Sequence, residues 1–176
     1  MPLPNIEQPD IIQINDTLRL RRYDGCYEKL LPGYQTPYVY QNSEGIFDDA
    51  KKPDLKYIKW MCEYLDKIGE LYFIEVEEND TFLSIGDVTI KSENPPIAIW
   101  DDRHRGHGFG KLVMQTVILR LKALGYLKIT GSGVYKWNVV SQRLHESLGF
   151  KCVEDTEDSY IYELDLTQNF DWSDQL

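Results

Sequence analysis

Arg105-Gly106-His107-Gly108-Phe109-Gly110-Lys111 is the stretch whose reading decides the fold. Its glycines let the backbone take positive φ and let a ligand approach closely. Upstream, Ile97 to Trp100 have the character of a short strand. Downstream, Phe109, Leu112, Val113, Thr116, Val117 and Leu121 share one helical face, so a helix is predicted from about Gly108 to Leu124, with Gly125 at its C-terminal end. A glycine turn between strand and helix leaves unpaired N–H groups at the positive end of the helix dipole. That is an anion site, suited above all to phosphate. Two phosphate motifs fail on spacing. GxxxxGK[ST] lacks its first glycine, and Leu112 stands where Ser or Thr is needed. GxGxxG fails because its third glycine comes one residue early, and the preceding strands read as a hairpin, not a parallel βαβ unit.

The flanks complete a mixed chain. Residues 1–15, with Pro2, Pro4 and Pro9, read as a loose lead-in, and 17–23 as a first strand. Residues 24–50 are irregular, with a short helix over 25–31. Leu55, Ile58, Met61, Cys62, Leu65 and Ile68 recur at helical spacing, which predicts a helix over 53–68 closed by Gly69. Strands from Leu71 and Phe82 form a hairpin about Glu78-Asn79-Asp80. After the central helix come a strand from Leu127, a helix capped by Asn138 and ended by Gly149, and closing strands over 150–155 and 159–166. The fold class is α+β, with a mostly antiparallel sheet flanked by helices.

Composition narrows the function. The chain has 176 residues, enough for one domain. Nineteen Lys and Arg against 29 Asp and Glu give a net charge of −10, which argues against nucleic acid as a partner. Cys26, Cys62 and Cys152 are odd in number and have no CxxC spacing, so neither a disulfide framework nor a metal site is expected. There is no signal-peptide pattern after Met1 and no apolar run that would span a membrane. The expectation is a soluble, cytoplasmic protein.

The pattern [Arg/Gln]-x-x-Gly-x-[Gly/Ala], read as Arg105, Gly108 and Gly110, resembles the pyrophosphate turn of the GNAT family of N-acetyltransferases. The segment Asn138-Val139-Val140-Ser141-Gln142-Arg143-Leu144-His145-Glu146-Ser147-Leu148-Gly149-Phe150 resembles that family's N-x-x-S/A-to-L-G-F run. The likeness is best over 70–166 within a single domain of 1–176. With Leu18-Arg19-Leu20-Arg21 it is loosely similar to the branch that acetylates protein N-terminal and related amines.

The resemblance implies a sheet splayed at an acetyl-CoA cleft, with the edge of Ala98, Ile99 and Trp100 pairing with the pantetheine arm. It puts the pyrophosphate on the N–H groups of Gly106, His107, Gly108, Phe109, Gly110 and Lys111, with Lys111 a nearby cation. Arg105 is either a phosphate contact or a loop residue. Asn138 takes the place of the family's asparagine beside the pantetheine and can also be an N-cap. The implied reaction is direct attack of a primary amine, on a small molecule or a peptide N-terminus, on the thioester. Many members protonate the leaving thiolate with a Tyr seven residues after the Asn. That position is His145 here, so His145, Ser141 or no dedicated acid remain open. Asp87 is the first candidate base, and Glu75 and Asp101 are alternatives. His104 and His107 are read as exposed. Trp60, Tyr34, Tyr38, Tyr40 and Tyr72 are candidates for an acceptor pocket. Phe170 and Trp172 could dock on a neighbour, as in a homodimer, or on the same chain. Two other readings stand beside this one: a non-catalytic acyl-CoA sensor or partner domain, and a nucleotide-binding domain of another kind.

Overall fold

A computed structural model describes residues 6–172. Met1–Asn5 of the lead-in and Leu176 of the tail lie outside the described residues. The chain forms β1 (Ile11–Gln13), β2 (Leu18–Arg22), α1 (Leu31–Tyr34), α2 (Pro37–Glu44), α3 (Leu55–Ile68), β3 (Glu70–Glu78), β4 (Thr81–Ile90) and β5 (Ile97–Ile99). It continues with α4 (Phe109–Ala123), β6 (Lys128–Tyr135), α5 (Val139–Ser147), β7 (Lys151–Asp155) and β8 (Ser159–Asp165). β1 to β5 form an antiparallel sheet in sequence order, and β6, β8 and β7 form a second one. A single parallel bridge joins the two sheets, Glu93 to Thr130, with Thr130 N–H on Ser92 O at 2.9 Å and Asn94 N–H on Thr130 O at 2.7 Å. No other pairing joins β5 to β6 among the described residues, and the gap between them is the cleft described below.

Strand alternation sorts the core into two layers. Tyr72, Ile74 and Val76 of β3 join Leu18, Leu20, Val88 and Ile90 against Val113, Met114, Val117, Ile118 and Leu121 of α4. Leu71 and Phe73 face the other way, onto Ile58, Met61, Cys62 and Leu65 of α3. The sheet is therefore covered on both faces. No helix among the described residues is long and apolar enough to cross a membrane.

The structure differs from the sequence reading at several places. The lead-in is not all loose, because β1 pairs with β2 from Ile11 opposite Arg21 to Gln13 opposite Arg19. The expected helix over 25–31 is only a 3-10 turn at Tyr27–Lys29, and the irregular stretch after it holds α1 and α2. Pro32 and Pro37 lie in the first turns of those helices, where a missing N–H costs nothing. Pro53 falls before its helix: Asp54 is the cap, accepting the Tyr57 N–H at 2.7 Å. In the tail, Phe170 and Trp172 stack at 5.0 Å and pack on the chain's own α4-side core, with Lys122 Nζ 5.4 Å from the Phe170 ring.

β4 carries one extra residue, since the register with β3 shifts between Ile74–Gly86 and Glu75–Ser84. The Ile85 carbonyl accepts from both Trp100 N–H (2.9 Å) and Asp101 N–H (3.1 Å). At Gly86 a Cβ would stand 2.3 Å from the Ala98 carbonyl oxygen. Gly86→Ala is therefore expected to force β4 and β5 apart and to destabilise the fold by about 2 kcal/mol, within the range for overpacking. Urea denaturation checks this, and an unchanged midpoint would mean that the strands have slack.

Candidate active site

The glycine turn is built from the end of β5. A 3-10 turn at Asp102–His104 follows the strand, with Asp101 accepting the Arg103 N–H at 3.0 Å. Gly106 and Gly108 have φ of 77° and 83°, and a Cβ at either would meet nothing within 4 Å. Conformation, not space, is what requires glycine there. The first hydrogen bond of α4 is Leu112 N–H to Gly108 O at 3.2 Å, and no side chain caps the helix. Among the described residues, none of the N–H groups from Gly106 to Lys111 donates to a protein acceptor. The first turn of α4 also carries no acidic side chain. These are the conditions for holding an anion.

The turn opens into a cavity of about 650 Å³, within the usual range for a small-molecule site. One wall is Ile97, Ala98 and Ile99 with the turn residues Arg105, Gly106, Gly108, Phe109, Gly110 and Lys111. The opposite wall is Asn138, Ser141 and Leu144 of α5, and Tyr38, Asn42 and Ser43 of α2 close one side.

Strand register shows which backbone groups face the gap. Thr89 N–H bonds Pro96 O at 3.0 Å and Trp100 N–H bonds Ile85 O, so the even-numbered residues of β5 turn their backbone groups to β4. Ile97 and Ile99 turn theirs to the open edge. The sequence expectation of an edge at Ala98, Ile99 and Trp100 is thus shifted by one position. Ala98 lines the cleft but bonds towards Asp87, and Trp100 is absent from the walls.

Arg105 bends back. Its Nη1 donates to Ile99 O (3.2 Å) and Trp100 O (3.4 Å), and its guanidinium lies 4.0 Å from the centre of the Tyr38 ring. It thereby ties the end of β5 to Tyr38 of α2. Asn138 caps α5, its Oδ1 accepting the Ser141 N–H at 3.1 Å, while its Nδ2 reaches Asn42 O at 3.4 Å. His107 is exposed and does not line the cavity. His104, read as exposed, is buried: its Nε2 is 2.6 Å from Glu78 Oε1, its Nδ1 is 3.3 Å from Asp101 Oδ2, and it borders the cleft. Two carboxylates and the Phe109 ring shelter it, and sequence spacing could not reveal Glu78 as its partner.

The candidate acids separate. Ser141 stands on the cleft wall. His145 does not, being packed between Phe150 (4.8 Å) and Tyr162 (5.3 Å). Its Nδ1 lies 2.8 Å from Ser141 O, a contact that requires the ring's hydrogen on Nδ1. Burial outweighs that bond and holds its pKa below 6.5, so the neutral ring has its one proton committed at pH 7. Of the alternatives left open, His145 is thus set back from the cleft, and Ser141 stands on its wall.

The candidate bases separate too. Glu75 is clamped by Arg19 (2.8 Å) and Arg21 (2.6 Å). Asp101 is pulled down to about 2, first by the Arg103 guanidinium, and so is a poor base. Asp87 is 2% exposed and has no cationic partner among the described residues. It accepts from Trp100 Nε1 at 2.7 Å and from Tyr34 Oη at 3.1 Å. Burial raises it to about 7 against the pull of those two donors. It lies one strand position behind the cleft wall, opposite Ala98. Of the aromatic candidates, Tyr38 lines the cleft and Tyr34 reaches Asp87, whereas Trp60 lies exposed on α3. Tyr40 bonds Asp49 Oδ1, and Tyr72 is a core residue on the α4 side bonded to Pro9 O, so neither lines the cleft.

A layered sheet with a gap beside β5 and a turn of unpaired N–H groups at that gap is the frame of an acyl-CoA-binding transferase. The model of the acetyltransferase (GNAT) family matches residues 36–150, and the chain belongs to this family. A comparison with curated protein sequences returns no match. Three solved structures show the same fold. A domain from Methanocaldococcus jannaschii is 23% identical with a TM-score of 0.73, over 86% of this chain and 99% of that one. The structure of yncA from Salmonella typhimurium, solved with its cofactor acetyl-CoA, is 18% identical with a TM-score of 0.61, over 89% and 98%. The ribosomal L7/L12 alpha-N-protein acetyltransferase RimL is 15% identical with a TM-score of 0.65, over 88% and 93%.

Proposed function

We propose that this protein is an acetyl-CoA-dependent N-acetyltransferase acting on a primary amine, carried by a small molecule or a peptide N-terminus. The observation that carries the proposal is the run of unpaired N–H groups from Gly106 to Lys111, opening into a cleft edged by the outward-facing backbone of Ile97 and the Ile99 N–H. A pyrophosphate suits the first feature and an extended amide-bearing arm suits the second. When bound, acetyl-CoA supplies an electrophilic thioester carbonyl and a thiolate leaving group.

The residues have distinct tasks in this reading. The Ile99 N–H faces the gap and is placed to donate to a developing oxyanion. Asp87 takes the proton that the ammonium must lose before nitrogen can attack, and a carboxyl that titrates near neutrality suits that task. The nitrogen–carbon bond forms, the carbon–sulfur bond breaks, and the second proton lost by the nitrogen passes through the Ser141 hydroxyl or water to the leaving thiolate, which leaves Ser141 as it began. RimL, a protein N-terminal acetyltransferase by its name, shares the fold and so supports the peptide arm of the proposal.

Mass spectrometry tests it. The protein is mixed with acetyl-CoA and a panel of polyamines, aminoglycosides, amino acids and short peptides. A gain of one acetyl group on a panel member is expected. No gain with acetyl-CoA bound would favour a sensor, and no gain with none bound would remove the turn from the argument.

A further inference from the structure

The buried glutamates of this protein are held by arginines: Glu70 by Arg120 at 2.6 Å, and Glu75 by Arg19 and Arg21. Glu44 is different. It ends α2, directly after the cleft residues Asn42 and Ser43, and among the described residues no Lys, Arg or His lies within ion-pair distance of it. Among the described residues its hydrogen-bond partner is the Tyr57 hydroxyl, which donates to Oε2. Burial raises its pKa against that bond, and its charge adds to the rise at Asp87 and Tyr34, so it shares their field. A carboxylate at a helix C-terminus also opposes the dipole, and the last turn of α2 holds no basic residue to offset it.

The surroundings are aromatic. The Tyr135 hydroxyl packs on Gly45, which follows Glu44; a Cβ there would be 2.7 Å from it. Tyr135 stacks on Trp137 at 4.5 Å, and Phe47 meets Trp137 edge-on at 5.0 Å. Phe47 is largely open to solvent and Trp137 partly so. Trp137 Nε1 bonds Gln41 O, and this ties the aromatic group to the same helix. A carboxylate lacking a cation, beside aromatic faces, suits an ammonium by ion pairing and cation–π contact.

We infer that Glu44, with Tyr57, Tyr135 and Trp137, is a specificity-determining site that receives a second positive charge on the acceptor, so that the preferred acceptors are dicationic amines. The inference rests on the proposed acetyl transfer to amines. The reacting nitrogen must give up its proton, so a carboxylate next to the cleft residues Asn42 and Ser43 is suited to a different nitrogen that stays charged throughout. Free diamines and lysine-bearing peptides both carry that chemistry.

The test compares 1,4-diaminobutane with butylamine, and an N-terminal dipeptide segment bearing lysine with its norleucine counterpart. At least a tenfold preference in kcat/KM for the charged member of one pair is expected, and the pair that shows it names the source. Glu44→Gln should erase the preference through KM for the acceptor, with KM for acetyl-CoA unchanged. Tyr57→Phe should weaken it less. Wild type without a preference, or a preference that survives Glu44→Gln, overturns the inference. Should no amine be acetylated, calorimetry of 1,4-diaminobutane with the CoA-loaded protein still decides. Binding that Glu44→Gln weakens at least tenfold would uphold the Glu44 site while the transfer reading fails, and absence of binding would overturn the site as well.

Discussion

Asp87→Asn is expected to lower kcat/KM for amine acetylation by about 100-fold at pH 7, the lower end of what a positioned base contributes. Asparagine keeps an oxygen for the Trp100 Nε1 and Tyr34 hydroxyl donors, so the local frame should survive. The pH profile separates a base from a structural residue. Wild-type kcat/KM should rise with pH through about 7, as the carboxyl ionises, and that limb should be missing in the variant. An unchanged limb would assign the proton to another group. Stability should move in the opposite direction. The folded pKa lies above the ordinary value of 3.8, so the folded state holds the proton more tightly than the unfolded chain does. That contribution is complete below about pH 4 and is lost as pH rises to about 7. Asparagine does not titrate, so the wild type should lose stability relative to the variant across that window. Denaturation at pH 4 and pH 8 measures the difference.

Gly108→Val should weaken acetyl-CoA binding by at least 100-fold, which corresponds to about 2.7 kcal/mol. Gly108 has φ of 83°, a region in which a β-branched residue is strained. Valine would move the backbone to negative φ and scatter the N–H groups from Gly106 to Lys111. A Cβ at Gly108 meets nothing within 4 Å, so the core should be untouched and the urea midpoint should change little. Calorimetry with acetyl-CoA supplies the affinity. Full affinity in a folded variant would show that the phosphates bind elsewhere.

Both predictions rest on residues that the sequence picked out, but for unequal reasons. The turn was legible because an anion site at a helix start is a local object: glycine spacing and the helix behind it lie within twenty residues. Asn138 was legible on the same ground, since an N-cap and its N–H lie three residues apart. Asp87 was marked only as an aspartate on a strand. Its donors, Tyr34 and Trp100, come from α1 and from the end of β5, and no spacing pointed to either. His145 was left open beside Ser141, for the converse reason. Its place after Asn138 fits a proton donor, but the packing of Phe150 and Tyr162 and the Ser141 carbonyl take it out of the cleft. Glu44 was passed over because it lies in a stretch read as irregular, and Pro32 and Pro37 begin helices there.

The sequence by itself determined the local objects: the glycine turn ahead of α4, the helix capped by Asn138, and the hairpin of β3 and β4. These follow from backbone geometry over a few residues. Only the tertiary structure decided which strand residues face the gap, which carboxylates have arginines, and which histidines are buried. Those depend on groups brought together from distant parts of the chain, where a one-residue bulge at Ile85 or a ring from another element changes a side chain's charge and reach.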